Sequence, residues 1–296
     1  MSDPPRISVC IVCRNEADRL GPCLESVEFA DEVIVLDLES TDESAAVARA
    51  HGARVFSHEV VPVVEPLRNV VAAQATGDWI LAMDPDERVT PGLAVELRRL
   101  AARESLDVVE IPFMNYDLGY PASDPMHRYD PKPRFYRRER ISWPETPNAL
   151  PTIDRARTHR LPDRDEVVMV HERNRTVAEA IERALRYAPA EAQAMVDRGE
   201  IFTARLMVRT LAGKAYKQFV VGRPWRDGVP GVLRAGILVA FHLYVWAAFW
   251  QLSGAQRTVE DDDFVRRIGR GVEVLRFPAR VLRRPFRIAA GLRQRR

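Results

Sequence analysis

The sequence predicts an α/β fold, a mostly parallel, doubly wound sheet with flanking helices, followed by C-terminal helices of a different character. Two observations carry this. Over residues 6–115 short apolar runs alternate with stretches of helical spacing, and polar clusters stand where the runs end. Late in the chain a long apolar stretch is followed by a strongly basic one.

The elements follow in order. "RISVCIV" (6–12) is the first strand. Residues 16–27 place Leu20, Cys23, Leu24 and Val27 on one helical face. "EVIVLDL" is a second buried strand, stopping at Asp37. Ser40 or Thr41 is expected to cap the next helix, "DESAAVARAHG", which Gly52 ends. "ARVFS" makes a third strand, 67–75 a helix stopped by Gly77, and "DWILAMD" the fourth strand. Pro91 opens a further helix, and "LDVVEIPF" reads as one fifth strand. Patterning then fades, with "PRFYRRERISW" the one strand-like run; irregular segments of such length are often binding loops. "TVAEAIERALRYAPAEAQAMVDRG" and "IFTARLMVRTLAGKAYKQFVV" read as helices.

A length of 296 residues allows one large domain, or one domain plus an appendage, and hydrophobic residues at 46% with charged residues at 29% fit a folded protein with a sizeable core. The net charge of +2 conceals an asymmetry: residues 264–296 hold eleven Arg and one Glu, so the remainder is acidic. That tail mixes Arg with Val, Leu and Phe, a composition suited to an anionic membrane surface. It holds few aromatics, and nucleic acid is not expected as a partner. Before it, residues 235–250 are apolar except for His242. A helix of that length measures roughly 24 Å, short of the ~30 Å hydrocarbon core, and Tyr244, Trp246 and Trp250 suit an interface. A membrane-surface or re-entrant helix is the favoured reading, ahead of a buried core helix or a true span. Cys10 and Cys13 form a C-x-x-C, but positions three apart on a strand face opposite sides; with Cys23 they are expected to be buried, reduced thiols. The start "MSDPPR" has no apolar signal-peptide core, so export is not expected.

In parallel sheets ligands bind beyond the carboxyl ends of the strands. Asn15 and Glu16, Asp37, and Asp84 with Asp86 stand at three such ends and should converge on one crevice. The stretch "GDWILAMDPDERV" puts Asp84, Asp86 and Glu87 directly after a buried strand. Carboxylates so close repel, and their burial is costly without a compensating partner. A D-x-D there suits Mg²⁺ or Mn²⁺ carrying a nucleotide diphosphate.

Together, "ISVCIVCRNEADRL", "VIVLDLESTDES", "LRNVVAAQATGDWILAMDPDERV" and "WRDGVPGVLRAGILVAFHLYVWAAFWQL" resemble the family-2 glycosyltransferases of GT-A fold. The resemblance is especially to the group of inverting enzymes that build lipopolysaccharide core and other cell-envelope glycans. The resemblance covers residues 6–115 well and 167–252 loosely. It implies a transferase domain at 1–228, with a nucleotide-binding half (1–115) and an acceptor half (116–228), and a membrane-associated region at 229–296. By position it implies Asn15 and Glu16 lining the nucleotide pocket, Asp37 accepting a hydrogen bond from the base, and Arg68 near the diphosphate or base. It implies Asp84 at ribose and metal, and Asp86 on the metal. Inversion needs a carboxylate to take the acceptor's proton; Glu145 leads, with Asp124 and Asp130 behind it. His171 in "VHE" is a candidate acceptor or phosphate contact, and Arg134 a candidate for the leaving diphosphate. Leu38 and Glu39 stand where the family usually has small residues, and Pro85 inside the D-x-D is atypical. The implied donor is a nucleotide-diphospho-sugar, the acceptor a lipid-linked or polysaccharide glycan, and the place the cytoplasmic face of a membrane, peripheral or monotopic.

Two other readings fit parts of the pattern. "ILAMDPDERV" also matches a haloacid-dehalogenase phosphatase, but that family carries the motif on its first strand, and here it is on the fourth. A membrane scaffold that binds nucleotide sugars without turnover would show no activity for carboxylate substitutions to remove.

Overall fold

Strand β1 (Ile7–Cys13) is buried along its whole length, as is β4 (Trp79–Met83), because helices cover both faces of the sheet they centre. The computed structural model describes residues 3–61, 64–123, 128–145, 150–256 and 258–274. The alternation runs β1, α1 (Ala17–Glu25), β2 (Glu32–Asp37), α2 (Ser44–Ala50), β3 (Arg54–Ser57), α3 (Leu67–Ala72), β4, β5 (Glu87–Val89), α4 (Pro91–Ala101) and β6 (Val108–Ile111). After it come β7 (Phe113–Asp117), β8 (Tyr120–Pro121), β9 (Lys132–Arg137), β10 (Thr158–Arg160) and β11 (Met169–Asn174). Helices α5 (Val177–Asp197), α6 (Ala204–Tyr216), α7 (Gly228–Leu252) and α8 (Val259–Val274) follow.

The expected mixed α/β sheet is present, seven-stranded in the order β10-β6-β9-β4-β1-β2-β3. It is parallel except at β9, which runs antiparallel between β4 and β6. Side-chain alternation on β1 divides the core. Ile7, Val9, Ile11 and Cys13 pack with α1 and α4 on one face, while Cys10 and Val12 pack with α3 and Trp143 on the other. The two thiols of the C-x-x-C therefore point to opposite faces, and burial pushes each up to about 12. They are packing groups.

Two local expectations need correction. "LDVVEIPF" is not one strand. Pro112 has no amide hydrogen to give a ladder, so the run divides: β6 stays in the large sheet, and β7 enters a second sheet ordered β5-β11-β7-β8. Helix α2 is capped by neither Ser40 nor Thr41. Its N-cap is Glu43, while Asp42 accepts from the Ser44 amide at 3.0 Å. Ser40 and Thr41 are engaged by the loop after β1 instead.

Two compact units emerge. One runs to Arg183 and includes Gln218–Ile237; the other comprises Ala184–Lys217 and the described residues from Leu238 onward. The second has its own core of Ala188, Ala192, Met195, Val245, Trp246 and Phe249, with Phe202 edge-on to Trp246 at 5.9 Å. The apolar stretch lies in α7, which is longer than the sequence suggested. The span Pro224–Leu252 is the one helix among the described residues long and apolar enough to cross a membrane, by length and composition. The basic tail beyond residue 274 lies outside the described residues.

Candidate active site

Register brings the polar clusters together. β1 pairs with β2 as Cys13↔Asp37 and with β4 as Ile11↔Met83, so the carboxyl ends of all three strands open on one edge. On the β1 side, Asn15 is exposed and left-handed (φ 53°), a backbone state that Asn tolerates. Its amide donates to Ser40 Oγ at 2.9 Å, and its Oδ1 accepts from the Thr41 amide at 2.7 Å. Asp37 is nearly buried and accepts from the Ser40 amide at 3.2 Å. Asn15 and Asp37 thus both hold the Ser40–Thr41 segment that follows β2.

Asp84 lies between two arginines. Arg68 Nη2 donates to its two oxygens at 2.6 and 2.9 Å, and Arg134 Nη2 donates to Oδ2 at 2.9 Å. Both guanidiniums also lie over the Trp143 ring, at 5.0 and 5.6 Å from its centroid. Burial opposes the Asp84 charge, but these two cations hold its carboxyl well below the usual range. Arg68 Nη1 is buried without a hydrogen-bond partner among the described residues.

The second sheet supplies the rest. β5 and β11 pair antiparallel with Glu87 opposite His171, and β11 and β7 pair parallel with His171 opposite Asn115. One row therefore holds Glu87, His171 and Asn115. Asn115 Oδ1 lies 2.8 Å from His171 Nδ1, and His171 Nε2 is 3.5 Å from Asp86 Oδ2. Glu87 is fully buried; it accepts from the Asp84 amide at 2.8 Å and lies 3.3 Å from Arg134 Nη2. Burial pushes its carboxyl up to about 7, against the pull of Arg134. Asp86 meets Arg183 at 3.4 Å and Arg19 at 3.6 Å. Burial opposes its charge too, but the hydrogen bond and charge of His171 keep its carboxyl below the usual range. Glu16 joins through Arg19 at 3.6 Å, and burial raises its carboxyl.

The carboxylates of "DPDE" are therefore compensated by Arg19, Arg68, Arg134, Arg183 and His171. Among the described residues, the ligand atoms close enough to share one cation, within 4.8 Å of one another, belong to Asp86, Glu87 and His171. Asp84, placed on the metal by sequence, is bound up with its two arginines. Glu145 is exposed, two residues past Trp143. Asp130 is exposed and 3.4 Å from Lys132 Nζ, and Asp124 lies outside the described residues.

Residues 8–154 match the family model described as Glycosyl transferase family 2. That segment is a family-2 glycosyltransferase domain. The chain is 40% identical over 94 residues to a TPR repeat-containing protein of Synechococcus elongatus, covering 31% of this chain and 23% of that one. It is 33% identical over 132 residues to an uncharacterized glycosyltransferase of Rickettsia felis, covering 44% of each. The matches span less than half the length of these curated relatives. Among solved structures it is similar to the mannosyltransferase PcManGT from Pyrobaculum calidifontis in complex with GDP-Man and Mn²⁺. There the identity is 17%, the coverage 95% of this chain and 84% of that one, and the TM-score 0.43.

Several site residues of the glycosyltransferase domain and its continuation escaped the sequence reading. Arg19 had a local signal, since it lies one helical turn before Cys23 on the buried face of α1. Glu87 was visible as a carboxylate, but its place beneath Asp84 was not. Asn115 and Arg183 had no signal, because only strand pairing and the approach of α5 bring them in.

Proposed function

We propose that this protein transfers a sugar from a nucleotide-diphosphate donor, with inversion, to a lipid-linked or cell-envelope glycan at the cytoplasmic face of a membrane. The observation that carries the reading is the carboxylate–arginine cluster at the carboxyl edge of the sheet in a family-2 domain. Asn15, Glu16 and Asp37 would line the nucleotide pocket, Asp37 taking a hydrogen bond from the base. Arg68, with a spare buried donor, would meet the diphosphate.

The residues present fit a divalent cation. Asp86 and His171 offer oxygen and nitrogen ligands, with Glu87 beside them, suited to Mg²⁺ or Mn²⁺. When Asn115 accepts the Nδ1 proton of His171, Nε2 is left to ligate. Such an ion would neutralise charge on the departing diphosphate. In the transfer itself, the acceptor oxygen bonds to the anomeric carbon as the bond to the diphosphate oxygen breaks. The acceptor's proton passes to a carboxylate, for which Glu145 is the leading candidate and Asp130 and Asp124 are the alternatives.

Calorimetric titration with UDP, GDP, ADP and dTDP, each with and without Mn²⁺, tests the donor site. One nucleotide should bind, and only with the metal. Binding of none under either condition would overturn the reading.

Helix α7 and the turn before it support the membrane placement. Only 28% of its most apolar window is buried, and Trp225, Val229, Val232, Leu233, Leu243 and Tyr244 are exposed. The charge of Arg234 is buried against Asp227 at 2.6 Å and does not interrupt that face. The protein should therefore cosediment with vesicles containing anionic phosphatidylglycerol, and less with phosphatidylcholine alone. A protein left in the supernatant with both would remove the membrane from the proposal.

A further inference from the structure

Two guanidinium groups meet Asp86, and they are held very differently. The Arg19 side chain is 9% exposed and is shared among three carboxylates: Glu179 at 2.6 Å, Glu16 at 3.6 Å and Asp86 at 3.6 Å. It is locked in place. The Arg183 side chain is 27% exposed. Its Nη2 donates to the Arg173 carbonyl at 2.8 Å and lies 3.4 Å from Asp86 Oδ2. A well-formed charge-assisted pair measures about 2.7–2.9 Å, so this contact is loose. Asp86 is its one ion-pair partner among the described residues. Glu16 also feels the Arg183 charge, although burial raises the Glu16 carboxyl overall.

The contested atom is Asp86 Oδ2. It faces His171 Nε2 at 3.5 Å and belongs to the ligand group of Asp86, Glu87 and His171. A dication on that group and a guanidinium against the same oxygen repel one another, and the loosely held cation is the one that gives way. A donor also brings a diphosphate, whose oxygens the planar fork of Arg fits.

We propose that Arg183 is an exchangeable counter-cation. It neutralises Asp86 while the site holds no metal, and turns to the donor's diphosphate when metal and donor enter together. This rests on the donor-site reading above, but it makes a prediction that reading does not. Removing Arg183 should move the two affinities in opposite directions.

The test uses the full chain as wild type, R183Q and R183K, with folding checked by circular dichroism. Mn²⁺ alone is titrated by electron paramagnetic resonance. The nucleoside diphosphate that wild type binds is titrated by calorimetry at saturating Mn²⁺. R183Q should bind Mn²⁺ alone roughly threefold to tenfold more tightly, having lost a competing charge. It should bind the nucleoside diphosphate about tenfold or more weakly. R183K, which keeps the charge, should lie between R183Q and wild type on both measures. An arginine that only braces α5 would move both affinities the same way, or neither. Wild type binding both ligands with R183Q unchanged, or with both affinities falling, overturns the exchange and leaves the donor site standing. Wild type binding neither overturns the donor site, and the exchange with it.

Discussion

Asp86→Ala should lose nucleotide binding and turnover together, with kcat/KM falling on the order of 10²- to 10³-fold or more, while the protein stays folded. The fold survives because the neighbours of Asp86 keep other partners. Its carbonyl still accepts from the Glu172 amide at 2.8 Å, Arg19 keeps Glu16 and Glu179, and His171 keeps Asn115. Glu145→Gln should give the contrasting result: nucleotide binding retained and turnover lower by about 10²- to 10⁴-fold, as the proposed role of Glu145 as general base requires. Glu145 is exposed, so the change touches no core contact. Calorimetry paired with a turnover assay separates the two. Full activity of D86A, or of wild type in a chelator, would remove the metal from the mechanism. Full activity of E145Q alongside an inactive D130N would move the base to Asp130.

Arg134→Ala has the largest expected effect on stability. Arg134 is 5% exposed and ion-paired with both Asp84 and Glu87, while its guanidinium lies against the Phe113 and Trp143 rings. Arg68 still compensates Asp84 without it, but Glu87 is left buried beside Asp84 and Asp86. Breaking a buried pair from one side costs about 3–5 kcal/mol. For a chain of this size that lowers Tm by roughly 10 °C.

The loss should depend on pH, and the sign follows from Glu87. Burial raises its folded pKa to about 7, above the ordinary 4.5. The folded state therefore holds this proton more tightly than the unfolded chain. The resulting stability is complete below about 4.5 and is lost as pH rises through about 7. Removing Arg134 takes away the charge that pulls this carboxyl down, so its pKa rises further. R134A should then be closer to wild type in Tm at pH 5 than at pH 8. Arg134→Met refills part of the volume without the charge and should show the same pH dependence with a smaller total loss. A gap between R134A and wild type that is equal at both pH values would assign the loss to packing against Phe113 and Trp143.

The strands and helices of residues 6–111, apart from the three-residue β5, were legible because their signals are local. A strand covered on both faces needs a continuous apolar run, as in "SVCIV" and "WILAM", and Gly52 and Pro91 mark helix ends through backbone constraints of their own. The carboxyl-end placement of Asn15, Asp37 and Asp84 followed from the same alternation. Pro112 misled the reading: the apolar run continues across it, yet the missing amide hydrogen directs Ile111 and Phe113 into different sheets. Ser40 and Thr41 misled it too, since their chemistry suits a helix cap and the loop after β1 uses them first.

By itself the sequence determined that three carboxylates end a buried strand and that something must compensate them. Only the tertiary structure decided what does. Arg68 is 16 residues from Asp84, Arg134 is 50, and Arg183 is 97 from Asp86. No spacing along the chain distinguishes these arginines from the many others on its surface. An antiparallel β9 and the β5–β11–β7 pairing bring Arg134, His171 and Asn115 to the cluster. The physical reason is range. Helix and strand signals repeat within a few residues, whereas neutralising a buried charge depends on distance in space, which chain separation does not set.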